Sequence, residues 1–213
     1  YKIIYYHFKN NEHSYRNSNI NDFIPAIEYL LDLGITVIRM GQNAENPIAM
    51  SHSNLIDYPF LDSDNKSGLM DIFLMDNSFF NITTATGLDH VSDIYSRPSL
   101  YVNIPFIAHL YSWADVISVP KQIRDRNNGK MLNLKQLFNC PYTSLSEYKK
   151  MGYEFVNLTP VEIKEAVKER FERCKGIYLE NKKNINLQIK FWEVFTQEMS
   201  IANNLWSGSH GWI

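Results

Sequence analysis

The residues best suited to chemistry in this chain are the run Thr83-Thr84-Ala85-Thr86-Gly87, with His90 one helical turn further on. Threonine hydroxyls can donate to anionic oxygens, and Gly87 has no side chain to keep a phosphate away from the backbone. A helix starting there would add unpartnered N–H groups and partial positive charge. The chemistry would be the gripping of a phosphate by Thr84, Thr86, Gly87, Leu88 and His90. The same residues also read as an ordinary helix start, in which Thr86 is the N-cap and Asp89 completes a capping box three residues on. From the turn alone both readings stand, and capping is the commoner use of such residues.

The elements around the run decide whether it can act. Leu69, Ile72, Phe73 and Met75 recur at helical spacing, and Phe79, Phe80 and Ile82 form a short β-rich run before the threonines. Leu88, Val91, Ile94 and Tyr95 again fall at steps of three and four, Pro98 stops that helix, and Leu100 to Val102 begins a strand. The run is therefore expected where a strand hands over to a helix. Upstream, Lys2 to Phe8 reads as a strand. It is followed by a polar loop to Asn21, a helix capped by Asn21 or Asp22 with an apolar stripe through Leu31, and a second strand, Ile35 to Met40. This is a βαβ crossover, with a right-handed default.

Further candidates lie at the ends of these elements. Arg16 sits in the loop after the first strand, where open α/β sheets collect ligand groups, although a lone loop arginine is usually a solvated one. Arg39, Met40 and Gly41 close the second strand, where a nucleotide fold places ribose or base; a plain turn closed by Gly41 is the simpler account. Residues 42–67 are mostly irregular, with a short strand expected at Leu55 to Tyr58, and Asp57, Lys66 and Ser67 could meet a nucleoside. A polar turn at the start of a helix explains Lys66 and Ser67 equally well.

Beyond Asn103 the chain predicts an apolar and aromatic segment to Ser118, then a charged connector from Lys121 to Lys130. Short helical pieces follow at Leu132 to Phe138 and Ser144 to Met151. Thr159-Pro160-Val161-Glu162 is a strong helix start, and a last helix runs from about Asn186 to Asn203 with Ile189, Trp192, Phe195 and Met199 on one side. The fold class expected is α/β: a Rossmann-like parallel sheet flanked by helices over residues 1–120, with a mostly helical part over 121–213 packed on it.

With 213 residues, 45% hydrophobic and 14% aromatic, the chain can bury a sizeable core, and disorder is excluded as its general state. A net charge of −2 gives no case for wrapping nucleic acid. Cys140 and Cys174 lack metal-ligand spacing, so free, mostly buried thiols in a reducing cytosol are expected. No window approaches a membrane span of roughly 18 continuous apolar residues. Because Tyr1 opens directly into a strand, the chain is expected to be a fragment whose N-terminal part is missing.

The segment Ile56 to Asn103 resembles the donor-binding half of two-domain glycosyltransferases, particularly the bacterial heptosyltransferase group. Their pattern runs from a strand and a Gly/Lys/Ser/Thr turn through a helix and strand to an acid, Ser or Thr, Gly, two residues and His. A helix ending before Pro and another strand follow. The matching run is Asp57, Lys66-Ser67-Gly68, the helix through Met75, Phe79 to Ile82, Ala85-Thr86-Gly87-Leu88-Asp89-His90, Pro98 and Leu100 to Asn103. HSYRNSNINDFIPAIEYLLDLGITVIRMG together with FFNITTATGLDHVSDIYSRPSLYVN more closely resembles an uncharacterised family of bacterial glycosyltransferases linked to surface polysaccharide synthesis. Ala85 stands where that group has its acid, so a donor-hydroxyl contact through a carboxylate there is lost.

The resemblance implies a GT-B-like transferase that moves a sugar from a nucleotide-sugar to an acceptor hydroxyl of a glycan or lipid-linked acceptor. It implies no cofactor beyond the donor and no metal. Its diphosphate would lie at Thr86-Gly87, its base near Arg39 to Gly41 or Asp57 to Ser67, with Arg16 as the basic catalytic group. The general base would come from a partner N-terminal domain missing from this chain, and the location would be cytoplasmic, with peripheral association at the inner membrane compatible. Two other classes stay open: a nucleotide-sugar epimerase, whose paired carboxylates and histidine are not found, and a non-catalytic nucleotide-binding or scaffold module.

Overall fold

The computed structural model describes residues 2–6, 15, 17–41, 44, 46–62, 64, 66–85, 87–105, 107, 114–138, 140 and 145–201, with backbone alone for 2–6 and 198–201. Six strands form one parallel sheet: β1 (Lys2–Tyr6), β2 (Thr36–Met40), β3 (Leu55–Asp57), β4 (Phe80–Thr83), β5 (Ser99–Ile104) and β6 (Val116–Pro120). Their spatial order is β3-β2-β1-β4-β5-β6, the doubly wound order in which the chain runs outward from the centre in two opposite directions. The expected α/β class with a Rossmann-like parallel sheet is the observed one.

Helices cover both faces of the sheet, whose described inner strands are buried on both. Val37, Phe80, Ile82, Leu100 and Val102 point to one face and meet α1 (Ile24–Asp32) and α6 (Pro160–Lys175) through Ala26, Ile27, Leu30, Ile163 and Val167. On the other face Ile38 and Met40 meet Met75 of α2 (Gly68–Asp76) and Leu88 and Val91 at the start of α3 (Asp89–Ile94). Tyr101, Ile104 and Val116 meet α4 (Leu134–Phe138) and α7 (Lys182–Ile201) through Phe138, Phe191, Val194 and Phe195. Burying such side chains contributes about 1.5–3 kcal/mol each.

Several boundaries differ from expectation for identifiable reasons. Asn19, not Asn21 or Asp22, accepts the first capping bond, from Asn21 N–H, and opens a 3-10 turn over Ile20–Phe23 before α1. The stripe Leu69, Ile72, Phe73, Met75 was expected inward. Of these only Met75 is buried and Leu69 is 78% exposed, because a nine-residue helix meets the sheet with little more than its last turn. In α7, which starts at Lys182 rather than Asn186, Phe195 is buried while Ile189 and Trp192 are exposed. The charged connector contains a strand, β7 (Gln122–Asp125), paired antiparallel with β8 (Tyr153–Val156). Alternation seats Ile123 against Tyr148, Tyr153 and Phe155, while Arg124 and Arg126 share Glu154 at 3.0 Å.

At the start of α6, Thr159 behaves as its sequence dictates: Thr159 Oγ1 accepts from Glu162 N–H at 3.3 Å and Glu162 Oε2 accepts from Thr159 N–H at 2.8 Å. Cys140 is buried, Cys174 half-buried, and both are free. Among the described residues no helix is long and apolar enough to cross a membrane.

Candidate ligand site at the carboxyl edge of the sheet

In this strand order β1 and β4 are neighbours whose onward connections leave in opposite directions, and the space beyond their carboxyl ends is where doubly wound sheets place a ligand crevice. Arg16, with His7 and His13, lies outside the described residues. Asn17 O accepts from Lys121 Nζ at 2.9 Å, and Ser18 Oγ accepts from Asn103 Nδ2 at 3.0 Å. Asn103, next to last in β5, has φ +58, and its Oδ1 accepts from Leu158 N–H at 2.8 Å. Lys121 is buried without a carboxylate partner among the described residues, and burial pushes its ammonium down to about 8.

A second group of residues follows β4. Thr83 and Thr84 are fully buried and neither hydroxyl has a partner, while Ala85 turns the chain with φ +61. A left-handed non-glycine conformation costs about 1–3 kcal/mol and persists only where the surroundings fix it. Two adjacent strands thus carry such a residue close to their carboxyl ends. Thr86 lies outside the described residues, so its capping role is not part of the geometry. Gly87 is exposed, with open space where a side chain would be. The cap position of α3 is Leu88, which makes no side-chain capping bond.

Below this turn α3 departs most from its sequence pattern. Leu88 and Val91 do reach the core, but Ile94 is 76% and Tyr95 45% exposed. The face laid on the sheet carries Asp89, Ser92 and Asp93, one turn of helix at i, i+3 and i+4. Beneath it the sheet offers Asn81, Thr83 and, in register with Thr83, Tyr101. A polar helix face therefore meets a polar patch of sheet. Tyr101 OH donates to Asp93 Oδ2 at 3.4 Å, but both amide atoms of Asn81, the hydroxyls of Thr83 and Ser92, and one oxygen each of Asp89 and Asp93 are buried without partners. Such a layer is the kind of place that holds ordered water or a bound polar group.

Electrostatics sharpen the point. Burial drives the Asp89 carboxyl up to about 6, against the opposing pull of His90, its own amide and Tyr101, and burial also raises Asp93. Exposed His90 lies 3.5 Å from Asp93 Oδ2 through Nδ1. The first turn of α3 thus already carries an acid of the chain's own.

The nucleoside candidates are brought together at the carboxyl ends of β2 and β3. Arg39 and Asp57 are register partners. Arg39 Nη1 reaches both Asp57 oxygens at 3.3 Å and donates to Asn46 O at 2.8 Å, while Ile48 N–H donates to Asp57 Oδ2 at 2.7 Å. They pin the loop after β2; Arg39 Nε is left without a partner, and the Arg39 guanidinium lies 5.7 Å from the Phe60 ring. Met40 is core, and Gly41 ends β2 with φ +135, a backbone only glycine adopts readily. Ser67 caps α2 by accepting from Met70 N–H at 3.1 Å, and Lys66 Nζ donates to Pro59 O.

Sequence reasoning missed Asn81, Ser92, Asp93, Tyr101, Asn103 and Lys121. The available signals were an asparagine inside an apolar strand and acids at helical spacing with a serine. Among the described residues no three of His, Cys, Asp and Glu are placed to hold a metal. No family model, curated protein or solved structure matches this chain.

Proposed function

We propose that the chain is the donor-binding part of a GT-B-like glycosyltransferase, taking a nucleotide-sugar in the crevice beyond β1 and β4. The observation that carries this reading is the pair of buried, unpartnered hydroxyls of Thr83 and Thr84 at the strand-order switch, beside the open space at Gly87. Two donors without acceptors at that point suit a diphosphate, whose oxygens accept several hydrogen bonds at once.

Glycosyl transfer requires the charge growing on the leaving nucleoside diphosphate to be stabilised and an acceptor hydroxyl to lose its proton. In this reading the Gly87 and Leu88 amides, the Thr84 and Thr86 hydroxyls and Arg16 perform the first task without a metal, with His90 at the rim. The base lies toward Gly41 and Ser67, along a wall whose shape is set by the Arg39–Asp57 pair rather than by free charges. The acceptor is a glycan or lipid-linked hydroxyl in bacterial surface polysaccharide synthesis, met from the cytoplasmic side. The buried Asp89 beside the phosphate makes binding tighter below pH 6, where its carboxyl is protonated.

Calorimetry with UDP-, GDP-, ADP- and CMP-sugars tests the pocket without an acceptor. One donor is expected to bind, and Thr84→Val to weaken it by about tenfold, the worth of one charge-assisted hydrogen bond. Absence of binding by all four at millimolar concentration refutes the reading. Binding with neither donor hydrolysis nor transfer by the longest available form of the protein marks a nucleotide-binding module instead.

A further inference from the structure

Among the described residues β6 is the last strand of the sheet, and none of them pairs with its outer edge. All five of its residues are half-buried, whereas every residue of β5 is buried. Ser99 N–H donates to Asp115 O and Lys121 N–H to Ile104 O, both at 2.9 Å. Backbone groups of alternate strand residues point to the same side, and β6 itself carries no bulge, so Asp115, Ile117, Val119 and Lys121 face β5. Val116, Ser118 and Pro120 therefore face outward. The N–H groups of Val116 and Ser118 make no bond to any other segment among the described residues.

A cavity of about 610 Å³ lies against these same three residues. One side is walled by Glu169, Arg170 and Arg173 of α6, and the other by Leu134, Leu137, Phe191 and Trp192 of α4 and α7. Because α6 and α7 cover opposite faces of the sheet, a space touching both runs along the edge itself. An extended residue occupies about 3.3 Å of rise by about 4.8 Å of strand spacing by about 10 Å of layer depth, roughly 160 Å³. The cavity has room for roughly four such residues, nearly the length of β6. On its α6 side Arg170, 2% exposed, is fixed by Asp115 at 2.8 Å.

We propose that this groove binds an extended peptide segment of another protein, which adds a seventh strand to the sheet through the outward N–H and C=O groups of Val116 and Ser118 and the carbonyl of Pro120. The peptide alternates, with apolar side chains toward Phe191 and Trp192 and hydrogen-bonding ones toward Arg170. Pro120, which has no N–H, ends the ladder. This site is separate from the nucleotide crevice and does not depend on it.

The test uses an acetylated, amidated heptapeptide alternating valine and threonine, titrated into the 15N-labelled chain. Saturable shifts of the Val116 and Ser118 amides are expected. Ser118→Pro removes an outward N–H without touching the ladder to β5, a change edge strands tolerate, and is expected to weaken binding at least tenfold. The fully N-methylated peptide is expected to do the same on the unmodified chain, and that arm decides the matter if the variant does not fold. No saturable shift at millimolar peptide, or equal binding of the N-methylated analogue, overturns the proposal. Concentration-dependent self-association that Ser118→Pro abolishes also overturns it, since the groove then holds a second copy.

Discussion

Replacing Asp89 with asparagine tests the polar layer under α3 most directly. The folded chain holds the Asp89 carboxyl at about 6 against an ordinary value of 3.8, chiefly through burial. An acid whose folded value is raised binds its proton more tightly in the native state. Its contribution to stability is therefore complete below pH 3.8 and is lost as pH rises through 6. At about 1.4 kcal/mol per pH unit the loss is about 3 kcal/mol. An asparagine side chain in its place would have the shape of the protonated acid and no charge to lose. Asp89→Asn is thus expected to match the parent near pH 3.5 and to exceed it by about 3 kcal/mol at pH 7.5, in urea denaturation followed by tryptophan fluorescence. Comparing variant with parent cancels the titrating groups remote from Asp89, while Asp93 and His90, which interact with it, add their own shifts to the difference. A variant less stable than the parent at pH 7.5, or a difference that does not change with pH, would refute the account of a carboxyl raised by burial.

Two further substitutions probe the scaffold on either side. Asp57→Ala leaves the Arg39 guanidinium buried and uncompensated and frees the loop after β2, and is expected to cost about 3–5 kcal/mol in the same assay; a loss below 1 kcal/mol would show the pair to be ornamental. Lys121→Met removes an ammonium that burial lowers from 10.5 to about 8. The penalty of about 3 kcal/mol is fully present below pH 8 and relieved as pH rises to 10.5. Less about 1 kcal/mol for the lost bond to Asn17, the variant should gain about 2 kcal/mol at pH 7.

How far the sequence could be read depended on whether local pattern or tertiary partner set the outcome. The strands β2, β4 and β5 and helices α1 and α6 were legible because apolar period and punctuation agree: Gly34 after α1, the Thr159 box with Pro160 before α6, Gly176 with φ +70 after it. β7 was hidden because three of its four residues are polar, and it pairs with a segment some thirty residues away. α3 was legible as a helix but not in its rotation. Apolar residues at 88, 91, 94 and 95 predicted one inward face, whereas the patch it covers is built from Asn81, Thr83 and Tyr101 on two other strands. At the candidate site the sequence marked the turn Thr83–Gly87 but not Lys121 or Asn103, whose relevance arises only when Asn17 and Ser18 are folded against them.

Several of the groups that weaken this fold lie close together. Asp89, Thr83 and Thr84 with unpartnered oxygens, Ala85 and Asn103 in left-handed conformations, and Lys121 without a counterion among the described residues all lie on the carboxyl side of one sheet. Titration of Asp89 lowers stability up to about pH 6, and titration of Lys121 restores it only above about pH 8. Their joint contribution is therefore lowest from pH 6 to 8, where proteins are ordinarily most stable. Packing alone would replace each of these groups with an apolar one, as it does on the opposite face with Val37, Phe80 and Leu100. A ligand that satisfies them recovers what they cost. Addition of the bound nucleotide-sugar should thus raise the melting temperature of the parent more than that of Thr84→Val, and an equal rise in both would detach the strained edge from the binding site.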